Sequence, residues 1–435
     1  MIQKPIEQER PNRIDPYIWG SYIALLLVSV VELYSASSQE IRNGNIHGPI
    51  MRHVLFLAIG FVIMLVSQRI HFSKFDKLIP IYVLISIVMM IWVLFGGTNI
   101  NGVKRAVDIA GFTILPAEFL KLAVALGVAW ILSRSQIKIN GMHDVSNAGL
   151  IACTIFVLFS SALLFSQGLT NTLLLIGISL GTMLVGGVSW KKFGIVIVVF
   201  AIIGGSALGI KMLSAQEAEI TERDKRLAEI NQIEAVASVE KNRAGTWSKR
   251  LERYFGNDSI PKYAAPITDE NKQEQYSYIA QAHGGLFGVG IGNSRETSRL
   301  PLAFSDYIYA IVIEELGLFI AIFVLMLYLF LLGRAGKLAT VFKSTPPCLL
   351  VMSCALFICL QALFHICIVV GVFPVSGQPL PLISKGGTSI IATSMALGVM
   401  LSASRWAARK TDSEEDIQRE ISELEKIASD NPSQT

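Results

Sequence analysis

Charged side chains are scarce in this 435-residue chain, making up 16% of it against 52% hydrophobic residues. Soluble chains carry about 25% charge, so an arrangement of water-soluble globular domains is excluded. Cysteine is scarce as well. Cys153, Cys348, Cys354, Cys359 and Cys367 all fall in apolar stretches, which leaves neither a disulfide framework nor the paired spacing of a metal site. His365 also sits in an apolar stretch with no second ligand in view, and reads as a satisfied core histidine. No short-period repeat is evident. The net charge is only +4, too little to argue for nucleic acid as a partner. The first apolar block lacks a small-residue cleavage site after it, so it reads as a retained helix and not as a removable signal.

What the chain does have is long hydrophobic runs. Ten stand out, at 17–37, 51–68, 78–96, 113–133, 147–165, 170–188, 192–213, 307–332, 347–371 and 383–403. Each is roughly the length needed to cross about 30 Å of hydrocarbon, and lipid forces each to be a helix, because it offers no partner to an open backbone amide. The expected fold is therefore an all-α polytopic membrane protein. Counting Lys and Arg in the short loops orients it. Sixteen fall on the side of the N-terminus, among them Arg13, Arg69, Lys192, Arg334 and Arg405; only Arg42, Arg52, Lys104, Arg105 and Lys385 fall on the other. Both termini are expected in the cytoplasm.

The chain then divides into a cytoplasmic segment 1–16, a membrane domain 17–410 and a cytoplasmic tail 411–435. One long extracytoplasmic loop, 214–306, joins the seventh and eighth spans. It opens with a charged, helix-forming stretch, 215–239, whose Ile220, Leu227, Ile230 and Ile233 recur at near-helical spacing. It closes with the glycine-rich run Gly284-Gly285-Leu286-Phe287-Gly288-Val289-Gly290-Ile291-Gly292-Asn293-Ser294. No strand is expected ahead of that run, so a nucleotide cradle is a weak reading. The tail has Ile417, Ile421, Leu424 and Ile427 on one stripe among acids, suited to a short amphipathic helix or a frayed end.

Ionisable groups in or beside a span are costly and mark functional candidates. Glu118 and Lys121 lie three apart and can pair on one helix face just after Pro116. Asp306 stands where the long loop meets the eighth span, with Glu314 and Glu315 two turns further in. Those two glutamates read as a helix-start anchor and an interhelical hydrogen bond. The last candidate segment is Phe373-Pro374-Val375-Ser376-Gly377-Gln378-Pro379-Leu380-Pro381, continuing through Ser384-Lys385-Gly386-Gly387. Such a bent backbone is tolerated at membrane depth only where it lines a protein-walled cavity.

At these segments the sequence resembles the SEDS (RodA/FtsW-like) family of membrane glycosyltransferases. The resemblance rests on NGVKRAVDIAGFTILPAEFLKLA, AQAHGGLFGVGIGNS, LPLAFSDYIYAIVIEELG and FPVSGQPLPLISKGGTSI, in that order along nearly the whole hydrophobic chain. The Gly292-Asn293-Ser294 ending is more similar to division-type members than to elongation-type ones. The resemblance implies polymerisation of lipid II at the outer face of the bacterial cytoplasmic membrane. It further implies Asp306 as the catalytic acidic residue, and Lys121, Glu118, Arg105, Ser384, Gly386 and Gly387 as substrate-binding. The implied reaction is one inverting displacement in which undecaprenyl pyrophosphate leaves, with Asp306 as base and Lys121 and Arg105 facing the pyrophosphate. No cofactor is implied, although a divalent cation could assist the leaving group. A class B penicillin-binding protein transpeptidase and other division proteins are the implied partners.

The sequence departs from the family at Thr113-Ile114-Leu115 before Pro116, at Ala106 after Arg105, at Gln167-Gly168-Leu169 and at Leu302-Ala303-Phe304-Ser305. The last of these leaves Asp306 without an acid or histidine beside it in the chain. Two other classes fit many spans and buried charge: a lipid II flippase, and a non-catalytic scaffold recruiting a transpeptidase. The candidates cluster on the outer side, away from the midplane where transporters bind. Polymer formed from lipid II in detergent would exclude a pure flippase.

Overall fold

The computed structural model describes residues 14–206, with gaps at 43–47, 101–102, 110–111 and 140–141, then residue 209 and 262–405, with gaps at 270 and 343. The charged stretch 215–239 and the tail 411–435 lie outside the described residues. Helices α1 (Pro16–Arg42), α2 (Gly48–Ser67) and α3 (Phe72–Gly96) come first. A small sheet of β1 (Thr98–Ile100), β2 (Val103–Ile109) and β3 (Phe112–Ile114) leads into α4 (Pro116–Arg134). A hairpin, β4 (Gln136–Ile139) and β5 (Met142–Val145), joins α4 to α5 (Asn147–Phe165), and α6 (Leu169–Val185) follows. Helix α7 is described over residues 190–206. Beyond it lie α8 (Lys272–Gly284), the one-turn α9 (Ala303–Asp306), α10 (Ile308–Val341), α11 (Thr345–Val369) and α12 (Gly387–Arg405).

This is an all-α polytopic membrane protein. Among the described residues, seven helices are long and apolar enough to cross a bilayer: α1, α3, α4, α5, α10, α11 and α12. The apolar parts of α2 and α6 are shorter, at Met51–Ser67 and Leu169–Val185. Among the described residues, each of the ten hydrophobic runs overlaps a helix, and α8 and α9 fall between the seventh and eighth runs. Helices α4, α11 and α12 are mostly buried, whereas α3 is mostly exposed. On α3 the exposed row Leu84, Val88 and Trp92 repeats every four residues, the stripe of a helix that faces lipid on one side.

Several boundaries differ from the hydropathy reading: α3 begins at Phe72 and not at 78, and α10 runs on to Val341 past the expected end at 332. The fourth run was expected from residue 113, but β3 occupies 112–114 and the helix begins at Pro116. Proline suits that first position, since its fixed φ is helical and its missing N–H would have had no partner. The last run was expected from 383, but α12 begins at Gly387. The intervening residues are held in a tight turn in which Leu382 is left-handed (φ 66°) and Gly386 N–H donates to Ser384 O at 2.7 Å. Both small sheets were invisible to hydropathy. In the first, Asn99 pairs with Lys104 and Val107 with Ile114, antiparallel in the order β1-β2-β3. It docks on α3 through Lys104 Nζ, which donates to Phe95 O at 2.8 Å and so covers a carbonyl of the final helical turn. In the second, Lys192 Nζ meets Asp144 Oδ2 at 2.8 Å, and that hydrogen bond holds the Asp144 carboxyl below the usual carboxylate range.

At one end of the bundle several helices gather around Asp15. Its Oδ1 accepts from the N–H groups of Tyr17 (3.0 Å) and Ile18 (3.3 Å), capping α1. Its Oδ2 pairs with Arg334 at 2.7 Å, and its own N–H reaches Ser404 Oγ at 3.4 Å. Ser402 Oγ donates to Ile70 O at 2.5 Å. The start of α1, the turn after α2, Arg334 and the end of α12 therefore share one end of the bundle. That is the end to which the basic residues were assigned.

Helix α10 is broken in its N-terminal third. Gly317 takes φ 86° and ψ 169°, which opens the helical ladder around it. The glycine-rich run closes it again: Val289 N–H donates to Glu314 O (2.9 Å), Gly290 N–H to Glu315 O (3.0 Å) and Leu318 N–H to Gly285 O (3.1 Å). A span can be interrupted only if neighbouring protein satisfies the freed groups in this way. A side chain at Gly288 (φ 79°) would strike the Glu315 carbonyl. The approach thus requires glycine.

Candidate active site

At the opposite end from Asp15, the segment between α11 and α12 folds back over the bundle. Its three prolines remove backbone donors, so its carbonyls are satisfied from side chains beneath. Tyr328 of α10 donates to Pro381 O at 2.5 Å. His365 Nδ1 lies 2.6 Å from Gln378 O; a carbonyl only accepts, so this nitrogen carries the proton. The histidine is a structural support, as its position in a buried helix suggested. Ser384 Oγ accepts from Leu380 N–H and donates to Ser305 O, both at 2.7 Å. Lys385 N–H donates to Phe304 O at 2.8 Å. The bent segment is thereby stitched to α9, whose last residue is Asp306.

Asp306 is half-buried, and its N–H donates to Leu302 O at 3.0 Å. The carboxylate rests against Gly377, where an added Cβ would stand only 2.7 Å from Oδ2. The next residue, Gln378, reaches into the bundle. Its Oε1 accepts from Lys121 Nζ at 3.3 Å and its Nε2 donates to Asn171 Oδ1 at 2.9 Å. Lys121 is fully buried and pairs with Glu118 Oε1 at 2.7 Å. The other Glu118 oxygen accepts from Gln361 Nε2 of α11 at 2.9 Å. The structure thus brings Asp306, Glu118, Lys121 and Ser384 into one network centred on the bent segment. Neither Lys121 nor Glu118 reaches the open space beside it.

That space is a cavity of about 660 Å³. Its floor is Ala303, Phe304 and Ser305, ending one residue short of Asp306; its sides are Phe56, Thr113, Leu115, Thr297 and Leu300. Lys385, Gly386, Gly387 and Thr388 bring the N-terminus of α12 to it, and Arg52 and His53 face it from α2. Gly387 permits this closeness, because any Cβ there would collide with the Phe56 ring. The first N–H groups of a helix have no intrahelical acceptor and carry partial positive charge. Together with the Lys385 ammonium and the exposed Arg52 guanidinium, they make the cavity suited to an anionic group. Arg105 is half-buried on β2, one strand away from Thr113 of β3, and does not line the cavity.

Arg52 and His53 were not singled out from sequence as site residues. The signal was available, because both are ionisable groups at the outer end of an apolar run. Glu314 and Glu315 are explained by structure. Glu314 accepts from Ser294 Oγ (2.5 Å) and Arg295 N–H (3.0 Å), and Glu315 from Gly292 N–H (3.1 Å) and Ser35 Oγ. They clamp the end of the glycine-rich run, in keeping with their reading as structural. Among the described residues, no group of three His, Cys, Asp or Glu is placed to hold a metal ion.

Comparison with known proteins gives one consistent result. The model of the FtsW, RodA and SpoVE family, described as a cell cycle protein, matches residues 16–234 and 244–409. A protein of Enterococcus hirae named probable peptidoglycan glycosyltransferase FtsW is 26% identical over 404 residues, covering 90% of this chain and 92% of the relative. Peptidoglycan glycosyltransferase MrdB of Escherichia coli K12 is also 26% identical, over 89% of this chain and 93% of its own. Among solved structures, a chain of a peptidoglycan synthase complex that coordinates polymerization and crosslinking shares the fold (TM-score 0.63, 20% identity, 90% of this chain and 98% of that one). The rod shape determining protein RodA of Thermus thermophilus does so too (TM-score 0.58, 19% identity, 90% and 97%).

Proposed function

This chain belongs to the FtsW/RodA/SpoVE family of cell cycle proteins, and from that premise we propose that it is a peptidoglycan glycosyltransferase of cell division, joining lipid II into β-1,4 glycan strands at the outer face of the bacterial cytoplasmic membrane. The observation that carries the reading is the cavity at the outer end of the bundle. It combines a helix N-terminus, Arg52 and Lys385 with a floor that runs directly into Asp306.

The cavity's cations and the α12 N–H groups hold the pyrophosphate of the donor. They stabilise the negative charge that grows on it as the bond to the anomeric carbon breaks, commonly the largest contribution to such catalysis. The 4-hydroxyl of the acceptor attacks that carbon from the opposite side, and its proton passes to Asp306 as the new glycosidic bond forms. Inversion converts the α-linked donor into a β-linked product in a single displacement. Arg105, on the strand paired with β3, is a further cation on the donor's side. The Glu118–Lys121 pair acts through Gln378: it fixes the bent segment, and Gly377 in turn fixes the Asp306 carboxylate. Ser384 ties the same segment to the cavity floor. The partner best suited to such an enzyme is a class B penicillin-binding protein that cross-links the new strands, alongside other division proteins. The shared fold with a chain of a synthase complex supports that choice.

The test is Asp306→Asn in the full chain, purified with its transpeptidase partner and supplied with fluorescent lipid II. General-base catalysis contributes about 10²–10⁴-fold, so glycan synthesis should fall by at least about 10²-fold with membrane insertion unchanged. Glycan made at the normal rate would overturn the assignment of Asp306. Failure of the wild-type protein to make any glycan would overturn the polymerase reading itself.

A further inference from the structure

Glu32 of α1 is 2% exposed, and neither of its carboxyl oxygens has a hydrogen-bond partner among the described residues. An acid in that condition inside a membrane helix is costly and rarely idle. It borders a void of about 10 Å³, shared with Ser29, His53, Phe304 and Lys385, which is room for about one water molecule. His53, Phe304 and Lys385 are also walls of the large cavity. Glu32 therefore lies directly behind the cavity, one layer of side chains away from it. The groups around it are unequal in sign. Glu315 of α10 is a second buried acid near it, and such a pair is tolerable where one member is protonated or a cation stands close by. Lys385 borders the void, and so does His53, whose Nε2 lies 3.1 Å from Ser29 Oγ, one turn before Glu32.

We propose that Glu32 is a positioning residue of the anion-binding cavity: through the one water that the shared void has room for, its carboxyl group links to Lys385 and His53 from behind and so fixes where their polar ends meet the donor's pyrophosphate. The inference rests on the reading of the cavity as the pyrophosphate site. It concerns α1, which contributes no side chain to the large cavity. Removing Glu32 should leave the cavity's shape intact but let the Lys385 ammonium turn away from it.

The experiment uses the full chain in detergent with two readouts: affinity for inorganic pyrophosphate by calorimetry, and kcat and KM for glycan synthesis from lipid II. Glu32→Gln should weaken pyrophosphate binding about tenfold, the scale of coupling between groups that share a cavity, and lower kcat more than KM changes. Glu32→Asp should recover part of both. Lys385→Met should lose at least as much, and the double variant Glu32→Gln/Lys385→Met should lose no more than Lys385→Met alone. Additive losses in the double variant, or wild-type pyrophosphate binding in Glu32→Gln, would overturn the proposal. Glu32→Met serves as the second variant, since a merely buried acid is replaced there with a gain in melting temperature and no loss of binding, which would also overturn it. If the wild type binds no pyrophosphate, the proposal fails. If it binds pyrophosphate in a Glu32-dependent way yet makes no glycan, this inference stands and the polymerase reading falls.

Discussion

Replacing Lys121 by methionine separates what the buried pair does for the fold from what it does for the reaction. Lys121 is 0% exposed and Glu118 4%. The ammonium donates to Glu118 at 2.7 Å and to Gln378 at 3.3 Å. In Lys121→Met the Glu118 carboxylate stays buried with only the Gln361 amide, 2.9 Å away, to compensate it. Breaking a buried pair from one side costs about 3–5 kcal/mol, which corresponds to a fall in apparent melting temperature of roughly 3–6 °C in a chain of this size. Neutralising both members is different, because no lone charge remains. The double variant Glu118→Gln/Lys121→Met should therefore regain most of the lost stability. It should still polymerise lipid II several-fold more slowly than wild type, since Gln378 has lost the donor that holds the bent segment against Asp306. Melting curves in detergent and initial glycan-synthesis rates measure the two effects on the same preparations. A Lys121→Met protein as stable as wild type, or a double variant no more stable than the single one, would refute the reasoning.

Gly377→Ala puts a methyl group 2.7 Å from Asp306 Oδ2; displacement of the carboxylate should cost about 10²-fold in glycan synthesis with an unchanged melting temperature. Asp15→Ala removes both the α1 cap and the Arg334 pair, and should lower stability by about 1–2 kcal/mol, whereas Asp15→Asn keeps the cap and should lose less; denaturant titration resolves the two. The pair of Asp144 with Lys192 has a pH signature. Because the folded carboxyl titrates below its ordinary value, its stabilisation is complete above about pH 4 and is lost as pH falls through the lowered value. Hydrogen-exchange protection in the β4–β5 hairpin should drop only under those acid conditions, and in Asp144→Asn it should be low at every pH.

The spans were legible because a bilayer imposes one rule on every backbone amide inside it, and a run such as 78–96 satisfies that rule in only one way. The basic residues of the short loops were likewise assigned from sequence to one end of the bundle. Arg334, the start of α1 and the end of α12 do meet at one end, around Asp15. What could not be read was how the outer segments close on one another. Lys104 covering α3, Ser384 bridging Leu380 to Ser305, and the glycine-rich run repairing the break at Gly317 are all contacts between residues distant in sequence. Hydropathy carries no information about them. The Asp15-Pro16 pair is the opposite case: an acceptor at the cap followed by proline at the first helical position is a local helix-start signal. That signal went unread, and it was the hydropathy run, opening at 17, that fell one residue from the start of α1 at Pro16.

The same distinction decides which cation meets the substrate. From sequence, Lys121 and Arg105 were the cations assigned to the pyrophosphate, since a charge in or beside a span draws attention. The structure surrounds Lys121 with acceptors and leaves it no exposed surface, so it can reach a lipid-linked donor only if α4, α11 and the bent segment part. Arg52 is exposed and lines the cavity, and Lys385 stands at its wall beside the first N–H groups of α12. A buried cation that already has its counter-charge gains little from an arriving anion, while one that lines an open cavity is free to meet the anion directly. In the proposed reaction the burden of holding the leaving group therefore falls on Arg52, Lys385 and the α12 N-terminus. Lys121 contributes at one remove, by keeping Gln378, Gly377 and hence the Asp306 carboxylate in place.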